Sequence, residues 1–240
     1  MQGQIIKISS NRHIVESNGK KYNTIPRGKF RKEKIVPKVG DYVLFDEKKL
    51  VIEEILERKN TFDRPMVSNI DQAFIVTSLV NPNFSLGLLD RLITLMELHN
   101  VKSIICLTKT DLINSLEYEK INDLMVYYNN IGYDVVNNLE TAEISLALGR
   151  GKHTTRNVSL YPFLGGKVLD TPGFSALDFS NYTKDEIKGA FRDFASYKCP
   201  FKDCSHTKEK ECVVKKAVLD KKILRSRYDS YLKFYEEAKK

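Results

Sequence analysis

Three cysteines and a histidine fall within fourteen residues of one another, as Cys199-x4-Cys204-x-His206-x5-Cys212. Three thiolates and an imidazole make a closed tetrahedral donor set for a structural zinc ion. The spacing is not that of a zinc finger. The fourth cysteine, Cys106, stands apart in the apolar run SIICL. Clustered thiols in a chain with no basic-then-apolar leader favour a metal over disulfides.

A second set of residues could handle a nucleotide. LTKTDL, residues 107–112, follows a buried apolar run. In that setting a carboxylate can accept from the ring N–H and exocyclic amine of guanine while a lysine stem packs along the base, which assigns Asp111 and Lys109. VLDTPGF, residues 168–174, is an apolar run closing on Asp170 and opening into a turn, the way a GTPase brings a carboxylate to Mg²⁺ beside a γ-phosphate. GRGKHTTR, residues 149–156, lies upstream of it at the spacing of switch I from switch II, with Thr154 and Thr155 as candidate Mg²⁺ ligands and His153 placed to orient water.

Three kinds of element must position these groups. Residues 1–58 read as short alternating strands with an Asn-Gly hairpin signal at 18–19, the pattern of a small β-barrel of the OB type. Between its strands runs a basic stretch with Arg27, Lys29, Arg31, Lys32 and Lys34 around Phe30. Such a stretch can track a phosphate backbone while its aromatic stacks on a base, or it can be a solvated loop. From 63 to 180 buried strands alternate with helices: QAFIVTSLV, a helix over 86–99, VKSIICLTK, a second helix over 117–132, and GGKVLD. This predicts an α/β domain with a parallel sheet. Residues 181–240 read as mostly helical, with Thr183 as an N-cap and Glu186 completing its capping box.

Composition is that of a water-soluble globular protein, 42% hydrophobic and 29% charged. The longest apolar runs, such as AFIVTSLV at 73–80, are too short to cross a bilayer. These features point to a cytoplasmic protein that does not enter a membrane. The net charge of +8 is divided as +6 over residues 1–62, −4 over 63–180 and +6 over 181–240. Basic ends flanking an acidic middle suit a polyanion gripped at both ends, and they equally suit lysines that only solubilise small domains.

In an ordinary GTPase the phosphate loop comes first and the guanine motif last, whereas here Lys109 and Asp111 precede Asp170. With a basic barrel before the permuted motifs and CPFKDCSHTKEKEC after them, nearly the whole chain resembles the RsgA (YjeQ/YloQ) family of circularly permuted ribosome-assembly GTPases. The resemblance implies an OB-type domain over 1–62, a permuted P-loop GTPase domain over 63–180 and a helical zinc-binding domain over 181–240. It also implies a monomer that hydrolyses GTP to GDP and phosphate while maturing the small ribosomal subunit, gripping rRNA with both end domains. By the same resemblance Thr108, Lys109, Thr110 and Asp111 bind guanine. Thr154 or Thr155 with Asp170 serve Mg²⁺, Gly173 senses the γ-phosphate, and His153 orients the attacking water. One structural Zn²⁺ sits on Cys199, Cys204, His206 and Cys212.

One part is missing. A phosphate loop needs GxxxxGK followed by Ser or Thr. The four Gly-Lys pairs, at 19–20, 28–29, 151–152 and 166–167, are followed by Lys21, Phe30, His153 and Val168. The family carries the loop between the guanine motif and switch I, which here is the join near Asn138 and Leu139. A strand, the loop and its helix would need about 40–50 residues. A natural chain losing a central strand would open its sheet, so the expectation is a segment left out of this sequence. The alternative is a true deletion, leaving a ribosome-binding scaffold that does not hydrolyse GTP.

Overall fold

The computed structural model describes residues 1–80, 83–137, 158–163, 165–170 and 178–239. They divide into two compact units, one within Met1–Asp71 and Glu140–Ala176, the other within Gln72–Leu139 and Leu177–Lys240.

The first unit is built on five short strands: β1 (Gln2–Ser9), β2 (Arg12–Ser17), β3 (Lys20–Pro26), β4 (Tyr42–Asp46) and β5 (Val51–Ile55). The order β1-β2-β3-β5-β4 closes through β4 onto β1, and the β3–β5 pairing is parallel. This is a closed barrel of the OB type. The Asn-Gly signal is realised: Asn18 and Gly19 both have positive φ, +50° and +73°, as a tight hairpin turn demands. Alternate residues Ile5, Val15, Val43, Phe45 and Ile52 fill the barrel. Close packing also fixes Gly3, where a Cβ would fall 2.5 Å from Val15 Cγ1.

Below the barrel lies a buried polar knot. The Asp41 carboxylate accepts from the Lys38 N–H, the Arg58 guanidinium and the Ser68 hydroxyl, all within 2.6–2.8 Å. Lys38 Nζ reaches Thr61 Oγ1, the Phe62 carbonyl and Asp63, binding the small hairpin of β6 (Thr61–Phe62) and β7 (Val67–Ser68).

The second unit holds the parallel sheet: β8 (Gln72–Ser78), β9 (Lys102–Thr108) and β10 (Asp134–Asn137), with β9 central. Helix α2 (Leu86–Leu98) connects β8 to β9, and α3 (Ser115–Asn130) connects β9 to β10. Asn114 and Glu117 form a capping box at the start of α3. The expected box of Thr183 and Glu186 opens α4 (Lys184–Gly189). That helix stops at a glycine, the residue least able to extend it apart from proline, and a 3₁₀ turn over Arg192–Phe194 follows. Helices α5 (Val213–Leu219) and α6 (Arg225–Glu237) complete a core centred on Phe191, Phe194, Tyr231 and Phe234.

One strand differs from expectation. Gly166–Asp170 (β12) is not in the parallel sheet. It pairs antiparallel with β11 (Ser159–Phe163), and β11 in turn meets β1. Gly165 at φ +78° turns the chain back between the two strands, and Lys167 finds partners far along the chain, Glu16 at 2.6 Å and Gln4 at 3.0 Å.

Candidate metal centre and nucleotide site

Cys199, Cys204, His206 and Cys212 converge, each offering a donor atom within 4.8 Å of the others. Cys199 Sγ lies 3.8 Å from Cys212 Sγ and 3.6 Å from His206 Nδ1, which is 3.3 Å from Cys212 Sγ. Tetrahedral zinc with bonds of about 2.3 Å to sulfur and about 2.0–2.1 Å to nitrogen sets its ligands roughly 3.8 Å (S to S) and 3.6 Å (S to N) apart. The donor set fits a metal ion of this kind in size as well as in chemistry.

The surroundings hold this geometry. Cys212 caps α5, with the Lys215 N–H 3.5 Å from its sulfur. Tyr228 and Tyr231 on α6 donate to the carbonyls of His206 and Ser205 at 2.7 and 2.6 Å. Glu209 accepts from the Ser205 N–H and hydroxyl and from the Thr207 N–H. Burial works against its charge, but these donors hold its carboxyl down at about 2. Burial pushes the Cys204 thiol up to about 12 and keeps the His206 imidazole below its usual value, so the ring is neutral at pH 7. A bound ion would deprotonate the thiols and close the loop 199–212 onto α5 and α6.

Thr108 to Asp111 sit at the C-terminal end of the parallel strands, where open α/β sheets take their ligands, whereas the backbone of Asp170 ends β12 in the first unit. Thr108 ends β9, and its carbonyl accepts from the Leu79 N–H at 3.2 Å. Lys109 adopts the left-handed conformation, φ +60°, which turns the chain into the 3₁₀ segment Thr110–Leu112. Its ammonium donates to the Val80 carbonyl at 3.0 Å, laying the stem across the sheet end. The Asp111 carboxylate is exposed beyond it. His153, Thr154, Thr155 and Gly173 lie outside the described residues, as does the side chain of Asp170.

The basic stretch requires a correction. Phe30 is 4% exposed and belongs to the barrel core, so it does not stack on a base. It sits on a four-residue helix, α1 (Lys29–Lys32), whose apolar residue plugs the barrel. Arg27, Lys29, Arg31, Lys32 and Lys34 are exposed around it.

Sequence reading also missed a buried ionic cluster in the second unit. Arg227 on α6 donates to Asp90 on α2 at 2.9 Å and to Asp193 at 3.4 Å. Tyr128 and Tyr127 on α3 donate to the same two carboxylates, at 2.6 and 2.9 Å. The one available signal was Asp90 standing inside the apolar stripe of LGLLDRLITLMEL.

An OB-type barrel, a parallel sheet ending in a Thr-Lys-x-Asp turn and a helical Cys₃His segment, with that turn ahead of the Asp-Thr-Pro-Gly motif in the chain, define the architecture of a circularly permuted GTPase. The RsgA GTPase family model matches residues 55–138 and 136–180, and the RsgA N-terminal domain model matches residues 2–50. The chain belongs to the RsgA GTPase family. It is 39% identical to the small ribosomal subunit biogenesis GTPase RsgA of Latilactobacillus sakei, covering 99% of this chain and 96% of that one. The Enterococcus faecalis protein of the same name is 38% identical, over 99% and 95%. Among solved structures, YloQ, a circularly permuted GTPase, superposes with TM-score 0.82 at 36% identity, over 98% of this chain and 94% of that one. YjeQ from Thermotoga maritima gives 0.84 at 30% identity, over 98% and 97%.

The two stretches of the GTPase match meet at 136–138, where the phosphate loop was expected. The alignment with the L. sakei protein runs over 286 positions against 240 residues here, so at least 46 positions face no residue of this chain.

Proposed function

We propose that this protein is a GTP hydrolase that acts late in assembly of the small ribosomal subunit, binding its rRNA and departing when GTP becomes GDP and phosphate. The observation that carries this reading is the Thr108–Asp111 turn at the end of the central parallel strand, in a chain 39% identical over nearly its whole length to a small ribosomal subunit biogenesis GTPase. Three functional parts follow, 1–62 and 181–240 as rRNA-binding ends and 63–180 as the GTPase. Asp111 accepts from guanine, Lys109 packs along the base, and Thr108 and Thr110 shape the turn. Thr154 or Thr155 and Asp170 would hold Mg²⁺, which neutralises charge on the phosphates. Gly173 faces the γ-phosphate and His153 orients water. Zinc is the metal of the Cys₃His cluster, where its part is structural. Exposed Arg27, Lys29, Arg31, Lys32 and Lys34 meet rRNA phosphates. The protein works as a cytoplasmic monomer; no helix among the described residues is long and apolar enough to cross a membrane.

One observation favours a second reading. None of the Gly-Lys pairs is followed by Ser or Thr, so the 240 residues alone cannot cradle phosphates, and the chain would then be a subunit-binding scaffold. The intact mass of the protein from its own cells, measured beside GTP turnover with and without purified small subunits, separates the two. A mass about 5 kDa above 27.6 kDa, with turnover stimulated by subunits, is expected for the GTPase. A mass of 27.6 kDa, with salt-sensitive subunit binding and no GTP affinity, identifies the scaffold. Unchanged turnover in His153→Ala would remove His153 from the mechanism.

A further inference from the structure

With Phe30 buried, the aromatic contact expected for single-stranded RNA has to come from elsewhere. Among the described residues the most exposed aromatic side chains are Phe74 on a sheet strand, at 56%, and Phe201, at 54%, between two cysteines of the Cys₃His cluster; Tyr42 and Tyr118 follow at 44% and 42%. Phe201 opens a turn closed by the Cys204 N–H on its carbonyl at 3.2 Å. Both ends of the loop are tied down, because Cys199 and Cys204 direct their sulfurs into one cluster. The ring makes no aromatic or cation contact among the described residues. Its exposed neighbours include Lys198 and Lys202, with Lys208 and Lys210 further along the same segment, and none of the four forms an ion pair among the described residues. Glu209, which stands between the last two in sequence, is occupied by Ser205 and Thr207.

We infer that the loop Lys198–Cys204 is a base-stacking contact for single-stranded RNA, with the Phe201 ring on a base and Lys198 and Lys202 on the flanking phosphates. This rests on the rRNA-binding reading above and assigns a residue to it. An exposed aromatic between unpaired cations is the arrangement that binds single strands with little sequence preference. A loop clamped at both ends loses little conformational entropy on binding, which leaves more of the stacking energy as affinity. A protein partner would call for a wider apolar patch, whereas Phe201 is bordered by Lys198, Pro200, Lys202 and Asp203, all exposed.

The chain contains no tryptophan, so Phe201→Trp creates a single fluorescent reporter at the proposed contact. Binding of a short oligoadenylate is expected to quench it. In the full chain, Phe201→Ala should weaken oligoadenylate binding on the order of tenfold with the slope of log K against log salt unchanged, since stacking releases no counterions. Lys198→Ala and Lys202→Ala should each reduce that slope by about 0.7. If the parent chain binds oligoadenylate and small subunits while Phe201→Ala binds them equally well, the stacking role is wrong and the rRNA-binding reading stands. Quenching by small subunits but not by RNA assigns the loop to a protein partner and overturns the inference. A parent chain that binds neither overturns both.

Discussion

Arg227→Met tests how the helices of the second unit are held together. The Arg227 side chain is fully buried, as are Asp90 and, within 1%, Asp193. Burial works against the guanidinium charge, but Asp193 and Asp90 more than offset it and keep Arg227 protonated. Methionine preserves much of the aliphatic stem but removes the guanidinium, whose carbon lies 4.2 Å from the Phe191 ring centroid. It leaves two carboxylates buried without a counter-charge. Removing one partner of such a cluster costs about 3–5 kcal/mol. The lower end applies here, because Arg227 Nη2 and Asp90 Oδ2 find no hydrogen-bond partner among the described residues and the tyrosine hydroxyls still serve both carboxylates. At about 4 °C per kcal/mol for a unit of this size, the melting temperature should fall by roughly 10–15 °C. Near-UV circular dichroism is the suitable assay, since Tyr127, Tyr128 and Tyr133 crowd the cluster and the chain has no tryptophan to mask them. A triple variant that also carries Asp90→Asn and Asp193→Asn should recover at least half of the loss. A fall of less than about 3 °C, or a triple variant as unstable as the single one, would refute the account of an uncompensated charge.

Three further outcomes are expected. Gly40→Ala should destabilise the first unit by about 3–5 kcal/mol, read from the urea midpoint, because Gly40 has φ +98° and a Cβ there would lie 2.1 Å from the Ser68 carbonyl oxygen. Chelation of the native protein should release one zinc per chain and abolish the near-UV signal of Tyr228 and Tyr231, and Cys212→Ser should prevent metal uptake; an unchanged spectrum after metal loss would show that α5 and α6 stand without it. The Arg91 side chain, hydrogen-bonded to Glu237 at 2.6 Å, lowers that carboxyl below its ordinary 4.5. The resulting stability is present above pH 4.5 and lost as the pH falls through the lower native value, so Arg91→Met should flatten acid unfolding in that window.

What could be read from the residues was local. The Asn18-Gly19 turn and the Thr183–Glu186 capping box each rest on a few neighbouring residues and are present as read, and the four residues of the Cys₃His spacing converge. What escaped depends on partners far along the chain. Nothing near Asp90 announces Arg227, 137 positions away. Nothing in GGKVLD shows that its strand will pair with β11 and leave the parallel sheet. The same holds for the helix that Thr183 caps, whose start was visible and whose early end at Gly189 was not.

The two phenylalanines show the limit most directly. Phe30 in RGKFRK and Phe201 in KCPFKDC are each an aromatic flanked by basic residues. Their fates diverge because of what the flanking chain must do. Around Phe30 the chain crosses from β3 to β4 over the open end of a barrel, and a four-residue helix with a single apolar side chain closes that end. Around Phe201 the flanking cysteines, only five residues apart, both turn into one Cys₃His cluster. A turn so short has no interior of its own, so the residue that opens it is left facing solvent. An aromatic in a basic stretch is therefore a candidate nucleic-acid contact only once the neighbouring residues are known to be committed elsewhere, and here the convergence of Cys199 and Cys204 on one Cys₃His cluster supplies that knowledge.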